Sequence, residues 1–202
     1  MKAKFKIRLH YKDDTVQGLS SSKSVATENQ TEFEETGKIT TASVDIAILD
    51  TAYRPEESFV NFSNLKIRCK MFYKDGLLRE YITVHSIVRD ILDLFFKYFD
   101  FPLKKFDIVI GPDFETKGYY GFILMSDLDA NEIALKSITF NNYKLFSQIC
   151  RAISIQWIGH ILTMSLWYEN FLIRGFNDML SVLCVNEVGP AVHDHLRTTE
   201  SI

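Results

Sequence analysis

The sequence predicts an α+β fold, with a block of strands followed by a block of helices. Three observations carry this expectation. Up to about Tyr73 apolar residues alternate with polar ones, the period of a strand with one buried face. Beyond a turn at Lys74-Asp75-Gly76 they recur at spacings of three and four, the period of a helix face. Two long stretches of helical pattern then close the chain.

In order along the chain, Phe5-Lys6-Ile7-Arg8-Leu9 alternates, residues 43–49 are β-branched and alternating, and Leu65-Lys66-Ile67-Arg68-Cys69-Lys70-Met71 alternates again. Residues 15–38 are rich in Ser, Thr, Glu and Asn and read as a long loop or weak hairpin. Val84, Val88, Ile91, Phe95 and Tyr98 mark an amphipathic helix that Phe101-Pro102 stops. Phe106-Asp107-Ile108-Val109-Ile110 is a short strand ending at Gly111-Pro112, and Gly121-Phe122-Ile123-Leu124-Met125 is another. The closing helices are expected over residues 143–162 and 166–184, with a break near Thr163. This divides the chain into a β-rich unit over residues 1–76, a second unit over 77–188 and a polar tail over 189–202.

At 202 residues, 47% hydrophobic and 24% charged, the composition is that of a globular domain with a real core. A net charge of -3 with no dense block of Lys and Arg gives no electrostatic case for nucleic acid. The longest uncharged stretch, residues 152–167, falls short of the ~20 residues a spanning helix needs, and Gln156 and His160 interrupt it. It reads as a buried helix, and no transmembrane segment is expected. The first residues lack the apolar core of a signal peptide, which favours the cytoplasm. The three cysteines, Cys69, Cys150 and Cys184, are far apart and odd in number, and are expected to be buried thiols. Asn29-Gln30-Thr31 and Asn61-Phe62-Ser63 fit the glycosylation sequon, which carries little weight without a secretion signal.

The run Gln156-Trp157-Ile158-Gly159-His160, continuing to Trp167, resembles the segment after the zinc motif of the gluzincin aminopeptidases, the aminopeptidase N and puromycin-sensitive type. There the pattern is His-Glu-x-x-His-Gln-Trp-Phe-Gly-Asn, followed later by Asn-Glu-Gly-Phe, and Gly175-Phe176 stands where that Gly-Phe should be. Without a gap, the second zinc histidine falls on Ile155 and the third ligand on Arg174, with 18 residues between them, which is the family's spacing. Tyr98-Phe99-Asp100-Phe101-Pro102, the strand at Phe106 and Pro112-Asp113-Phe114 are similar to the segments that precede the family's substrate-binding strand. The resemblance implies the end of an amino-terminal β-sandwich domain followed by the first half of a thermolysin-like catalytic domain.

It also implies a site whose chemistry is gone. A catalytic zinc of this kind takes two imidazoles one helical turn apart and a carboxylate from the next helix, with one position left for water. The three ligand positions hold Arg151, Ile155 and Arg174, and the general-base position holds Ala152. A guanidinium stays protonated and offers no lone pair, and neither isoleucine nor alanine has a donor or a titratable group. The family's amine-gripping glutamate has no convincing counterpart in Glu115-Thr116-Lys117-Gly118-Tyr119-Tyr120; Glu115 reads as a solvated loop carboxylate. Zinc is the family's cofactor, and none is expected here.

Substitute sites are weak. His160 lies off the ligand face and reads as a helix-end histidine capping carbonyls. His193-Asp194-His195 lies in the polar tail. If Arg151 and Arg174 filled the old cavity they would need a counter-charge, and Glu169 is the nearest candidate, forming a salt-bridged plug or a small-anion site. The plain alternative leaves both arginines on the surface. The sequence therefore reads as a catalytically inactive homologue, or a fragment of one, that acts by binding peptides or a protein partner such as a full-length aminopeptidase. The alternative is an active zinc aminopeptidase. Unpartnered apolar surface is expected at Phe95-Phe96 and Phe171-Leu172-Ile173.

Overall fold

The structure is a computed structural model and describes residues 2–12, 15–27, 30–62, 65–74, 78–100, 105–112, 115–134, 140–164 and 169–198. The expected turn residues Asp75-Gly76, the stop at Phe101-Pro102 and the Asp113-Phe114 pair lie outside these.

Among the described residues, seven strands precede the first α-helix: β1 (Arg8–His10), β2 (Val16–Ser20), β3 (Ser24–Thr27), β4 (Gln30–Phe33), β5 (Ile46–Asp50), β6 (Arg54–Phe62) and β7 (Leu65–Tyr73). Then come α1 (Leu78–Phe96), β8 (Lys105–Gly111), β9 (Lys117–Tyr119), β10 (Phe122–Ser126), α2 (Asp127–Ala134), α3 (Phe140–Ser154) and α4 (Asn170–Thr198). The strands form a three-stranded sheet β1-β4-β3, a two-stranded sheet β2-β5 and a five-stranded sheet β6-β7-β8-β10-β9. In the last, β7, β8 and β10 run parallel, with β6 and β9 antiparallel at the edges. A parallel pair needs a crossover, and α1 supplies it between β7 and β8.

The pleat of the five-stranded sheet separates two cores. Phe106, Ile108 and Ile110 of β8 turn to one face with Ile67, Cys69, Met71, Ile123 and Met125. That face is covered by Val84, Val88, Ile91 and Phe95 of α1, the residues whose spacing predicted the helix, and all are buried. Tyr98 is past the helix end and 73% exposed. Val109, Phe72 and Phe122 turn to the other face and meet Leu19, Ala47, Leu49 and Tyr53 from β2, β5 and the turn after it. A boundary at residue 76 therefore runs through one hydrogen-bonded sheet, because β6 and β7 belong with β8.

Three differences from the sequence expectation have physical causes. Residues 15–38 hold strands β2, β3 and β4: β3 and β4 pair antiparallel as a hairpin, one of the two forms expected, and β2 is a further strand. The alternation in polar β4 is clear only in its burial, Thr31 and Phe33 in, Gln30 and Glu32 half out. The helix expected to reach Leu162 ends as α3 at Ser154, where the Gln156 and Trp157 N–H groups turn to the carbonyls three residues back, Ile153 and Ser154 (both 3.1 Å), and the helical ladder gives way to turns. Gly159 then takes φ 137°, a left-handed value open to glycine and closed to most side chains. At the other end, α4 passes Gly189-Pro190 and continues to Thr198, so the expected polar tail, including His193-Asp194-His195, is helical up to there. A proline removes one helical hydrogen bond and bends a helix without obliging it to end.

α4 carries apolar residues on two sides, with polar ones such as Arg174, Asn177, Asp178 and Ser181 among them. Ile173, Cys184, Val185 and Val188 face inward, while Leu172, Phe176, Met179 and Leu183 form a stripe on the outer side, each 40–52% exposed. Phe171 is 67% exposed, whereas Phe95 and Phe96, the other expected patch, are buried under the core. No helix among the described residues is long and apolar enough to cross a membrane.

Candidate functional site

The end of α3 is fixed by Gln156. Its amide donates to the carbonyls of Tyr119 (2.8 Å) and Ala152 (3.2 Å) and accepts from the Gly121 N–H (2.8 Å), so one fully buried side chain ties α3 to the β9–β10 turn. Gly121 at φ 87° makes that turn. Trp157 stacks on Phe95 with ring centroids 5.2 Å apart and donates from Nε1 to the Asp100 carbonyl (2.7 Å). Gly159 closes the loop by donating from its N–H to Leu162 O (2.9 Å). Gln156, Trp157 and Gly159 are thus structural anchors. Gly175 and Phe176, the second pair of anchors, lie on the exposed side of α4, where Phe176 is 48% exposed.

Above these anchors stand the positions of interest. The Ile155 N–H donates to Arg151 O (3.1 Å), so positions 151 and 155 are one helical turn apart, as the spacing required. Arg151 is exposed, Ile155 half-buried, Ala152 buried against β9, and Arg174 exposed. Arg151 pairs with Asp178 of α4 (3.1 Å), both side chains about half exposed. The expected plug took Glu169 as counter-charge. The partner is instead Asp178, one turn beyond Arg174, and both guanidinium groups lie at the surface, where no burial cost demands neutralisation. Glu169 is half-buried and has an interaction of its own. Asp178 was missed because its significance comes from the crossing of α3 and α4, which sequence spacing does not encode. Glu115 is exposed. Among the described residues no group of three His, Cys, Asp or Glu is arranged to hold a metal ion.

His160 departs from the capping role expected of it. It is 8% exposed, its Nδ1 is 3.0 Å from the Ser43 hydroxyl, and its ring lies 5.1 Å from that of Tyr120. Its Nε2 is buried with no hydrogen-bond partner among the described residues. Burial alone lowers its pKa from 6.5 to about 4. The folded state therefore holds the neutral ring, while the unfolded chain takes up a proton near its ordinary value. The stability this gives is fully present above pH 6.5 and is lost as the pH falls toward 4. Between pH 7 and 4.5 the chain should lose about 2–3 kcal/mol that a His160→Asn variant does not lose. Urea midpoints at the two pH values measure it; parallel curves for the two proteins would show that the ring titrates normally.

The cysteines also differ from the reading as three thiols. Cys150 and Cys184 are paired as a disulfide between α3 and α4, and Cys69 is buried and free. A separation of 34 residues in a set of three cysteines gives no pattern, and the pairing arises from the packing of two helices.

No family model matches the chain. Relatives do, and they place it in a class: it is an aminopeptidase-like chain. It is 31% identical to aminopeptidase M1-B of Oryza sativa subsp. japonica over 103 residues, 49% of this chain and 12% of that protein. It is 24% identical to endoplasmic reticulum aminopeptidase 2 of Homo sapiens over 162 residues, 78% of this chain and 16% of the relative. It is 22% identical to glutamyl aminopeptidase of Bitis rhinoceros over 194 residues, 92% of this chain and 20% of the relative. The chain spans a fifth or less of the length of these relatives.

Proposed function

We propose that the chain is a catalytically inactive relative of the aminopeptidases, acting by binding a protein or peptide partner. The observation that carries the reading is the occupancy of four positions. Arg151 and Ile155, one turn apart at the end of α3, and Arg174 on α4 supply no metal donor, and Ala152 supplies no base. All four functions are missing together at intact spacing. The outer stripe of α4, Leu172, Phe176, Met179 and Leu183, recurs at four, three and four residues, which suits a partner helix better than a small molecule. A full-length aminopeptidase is the partner we favour.

A second reading, an active zinc aminopeptidase, is favoured by the names of the relatives, all of them aminopeptidases. Elemental analysis of the purified chain, with an aminoacyl-naphthylamide cleavage assay, separates the two. Inactivity predicts zinc far below one ion per chain and no cleavage above the blank, with or without added zinc. One bound zinc per chain that a chelator removes, together with cleavage, would establish the second.

A further inference from the structure

Cys150 lies on α3 directly before Arg151, and Cys184 lies about four turns into α4. Their Cα atoms are 6.2 Å apart, within the range of roughly 4.4–6.8 Å that a disulfide spans without backbone movement. Both side chains are buried, at 0% and 1% exposure. We infer that Cys150–Cys184 is a structural disulfide that staples α4 to α3, and that the chain accordingly matures in an oxidising compartment and not in the cytosol.

The surroundings say why this contact needs a staple. The α3–α4 contact mixes apolar packing with polar pairs: Phe146, Ile149 and Ile153 of α3 share a core with Val185 and Val188 of α4, while Ser147 donates to Ser181 (3.2 Å) and Ser154 to Asn177 (2.6 Å). The polar pairs fix register and add little apolar attraction of their own. The apolar residues that would otherwise anchor α4 are split between its two sides, so half of them give nothing to the packing of this chain on itself. A covalent link between the helices limits how far α4 can separate while its outer face stays open.

The third cysteine does not compete. Cys69 lies on β7 in the main core, and burial, helped by the charge of Asp107, pushes its thiol up to about 12. It therefore holds almost no thiolate, the form that attacks a disulfide. Enclosure protects the pair equally, since a reductant needs a line of approach to one sulfur. Formation requires an oxidant. The two thiols lose two protons and two electrons, which reduce a disulfide of an oxidoreductase or of oxidised glutathione to two thiols. Compartments that supply such oxidants outside the cytosol keep structural disulfides, and reducing compartments do not.

Acid-quenching the full chain in the cells that make it, alkylating it with N-ethylmaleimide under denaturing, non-reducing conditions and mapping its peptides tests the inference. The expected result is label on Cys69 alone, with the Cys150 and Cys184 peptides linked, and label on all three after reduction. Label on all three before reduction would overturn both the bond and the compartment. The staple is tested separately by melting the purified oxidised chain with and without reductant, using Cys69→Ser as a control for exchange. The midpoint should fall on reduction in both proteins; an unchanged midpoint would overturn the structural role. Neither readout involves zinc or peptide cleavage, so the result stands apart from the reading of the chain as inactive.

Discussion

Asp107→Ala should destabilise the fold by about 3–5 kcal/mol, among the largest effects available to one substitution in this chain. Asp107 and Lys105 point from β8 to the same face of the sheet, and Lys105 Nζ donates to Asp107 Oδ2 at 2.7 Å. Both are buried, at 1% and 3% exposure. Burial pushes the Asp107 carboxyl upward, opposed first by the Lys105 charge and then by Arg68 and Lys70. Truncating the aspartate strands an ammonium group away from water. Removing both charges, as Lys105→Met with Asp107→Leu, should cost far less, within about 1–2 kcal/mol of the parent, because packed apolar groups replace a buried pair with little loss. Urea denaturation of the two variants reads the difference. A single mutant no worse than the double would mean that water reaches Lys105.

Gly118→Val should cost about 3 kcal/mol, through overpacking of a backbone-to-backbone contact. A Cβ built on Gly118 of β9 would lie 2.7 Å from Ala152 Cα and 2.9 Å from its carbonyl carbon. Those atoms belong to a helix held by Gln156, so neither side has a flexible end to move aside. The strand would be forced off α3, breaking the Gln156 bond to Tyr119 O and then its bond to the Gly121 N–H. The loss should appear as a lower melting temperature together with faster hydrogen exchange at the Gly121 amide. Gly37→Ala is the matched control, since nothing lies within 4 Å of its added Cβ, and it should be close to neutral. Equal effects at the two glycines would show that the tight contact is not what matters.

How much of this was legible in the sequence depended on how locally each feature is determined. α1 was readable because Val84, Val88, Ile91 and Phe95 repeat one face against one core, and β8 because the mostly apolar run Phe106-Asp107-Ile108-Val109-Ile110 ends at the breakers Gly111-Pro112. Residues 15–38 were only partly legible, as a loop or weak hairpin, because a polar strand owes its existence to its neighbours: β4 is set by its pairing with β1 and β3, which no local count contains. α3 and its stop show both cases. The ligand-like spacing of positions 151 and 155 was visible, while the stop depends on the three-residue hydrogen bonds of Gln156 and Trp157 and on a backbone value at Gly159. At the site itself, the residue identities at 151, 152, 155 and 174 were readable by resemblance. The Arg151–Asp178 pair, the Cys150–Cys184 link and the Ser43 contact of His160 join positions 27, 34 and 117 residues apart, and only the folded chain brings them together.

The pleat of β8 has a consequence for how this molecule can come apart. Ile108 and Val109 are neighbours in sequence, yet one supports the helical side and the other the amino-terminal strands, so a single strand is the partition between two rooms. Removing the contents of either room wets one side of a wall that the other still needs. Severing the chain near residue 76 would also strip β8 of the parallel partner on which Lys105 to Val109 are hung. The two halves that the sequence suggests therefore share one hydrogen-bonded sheet and the strand that divides their cores.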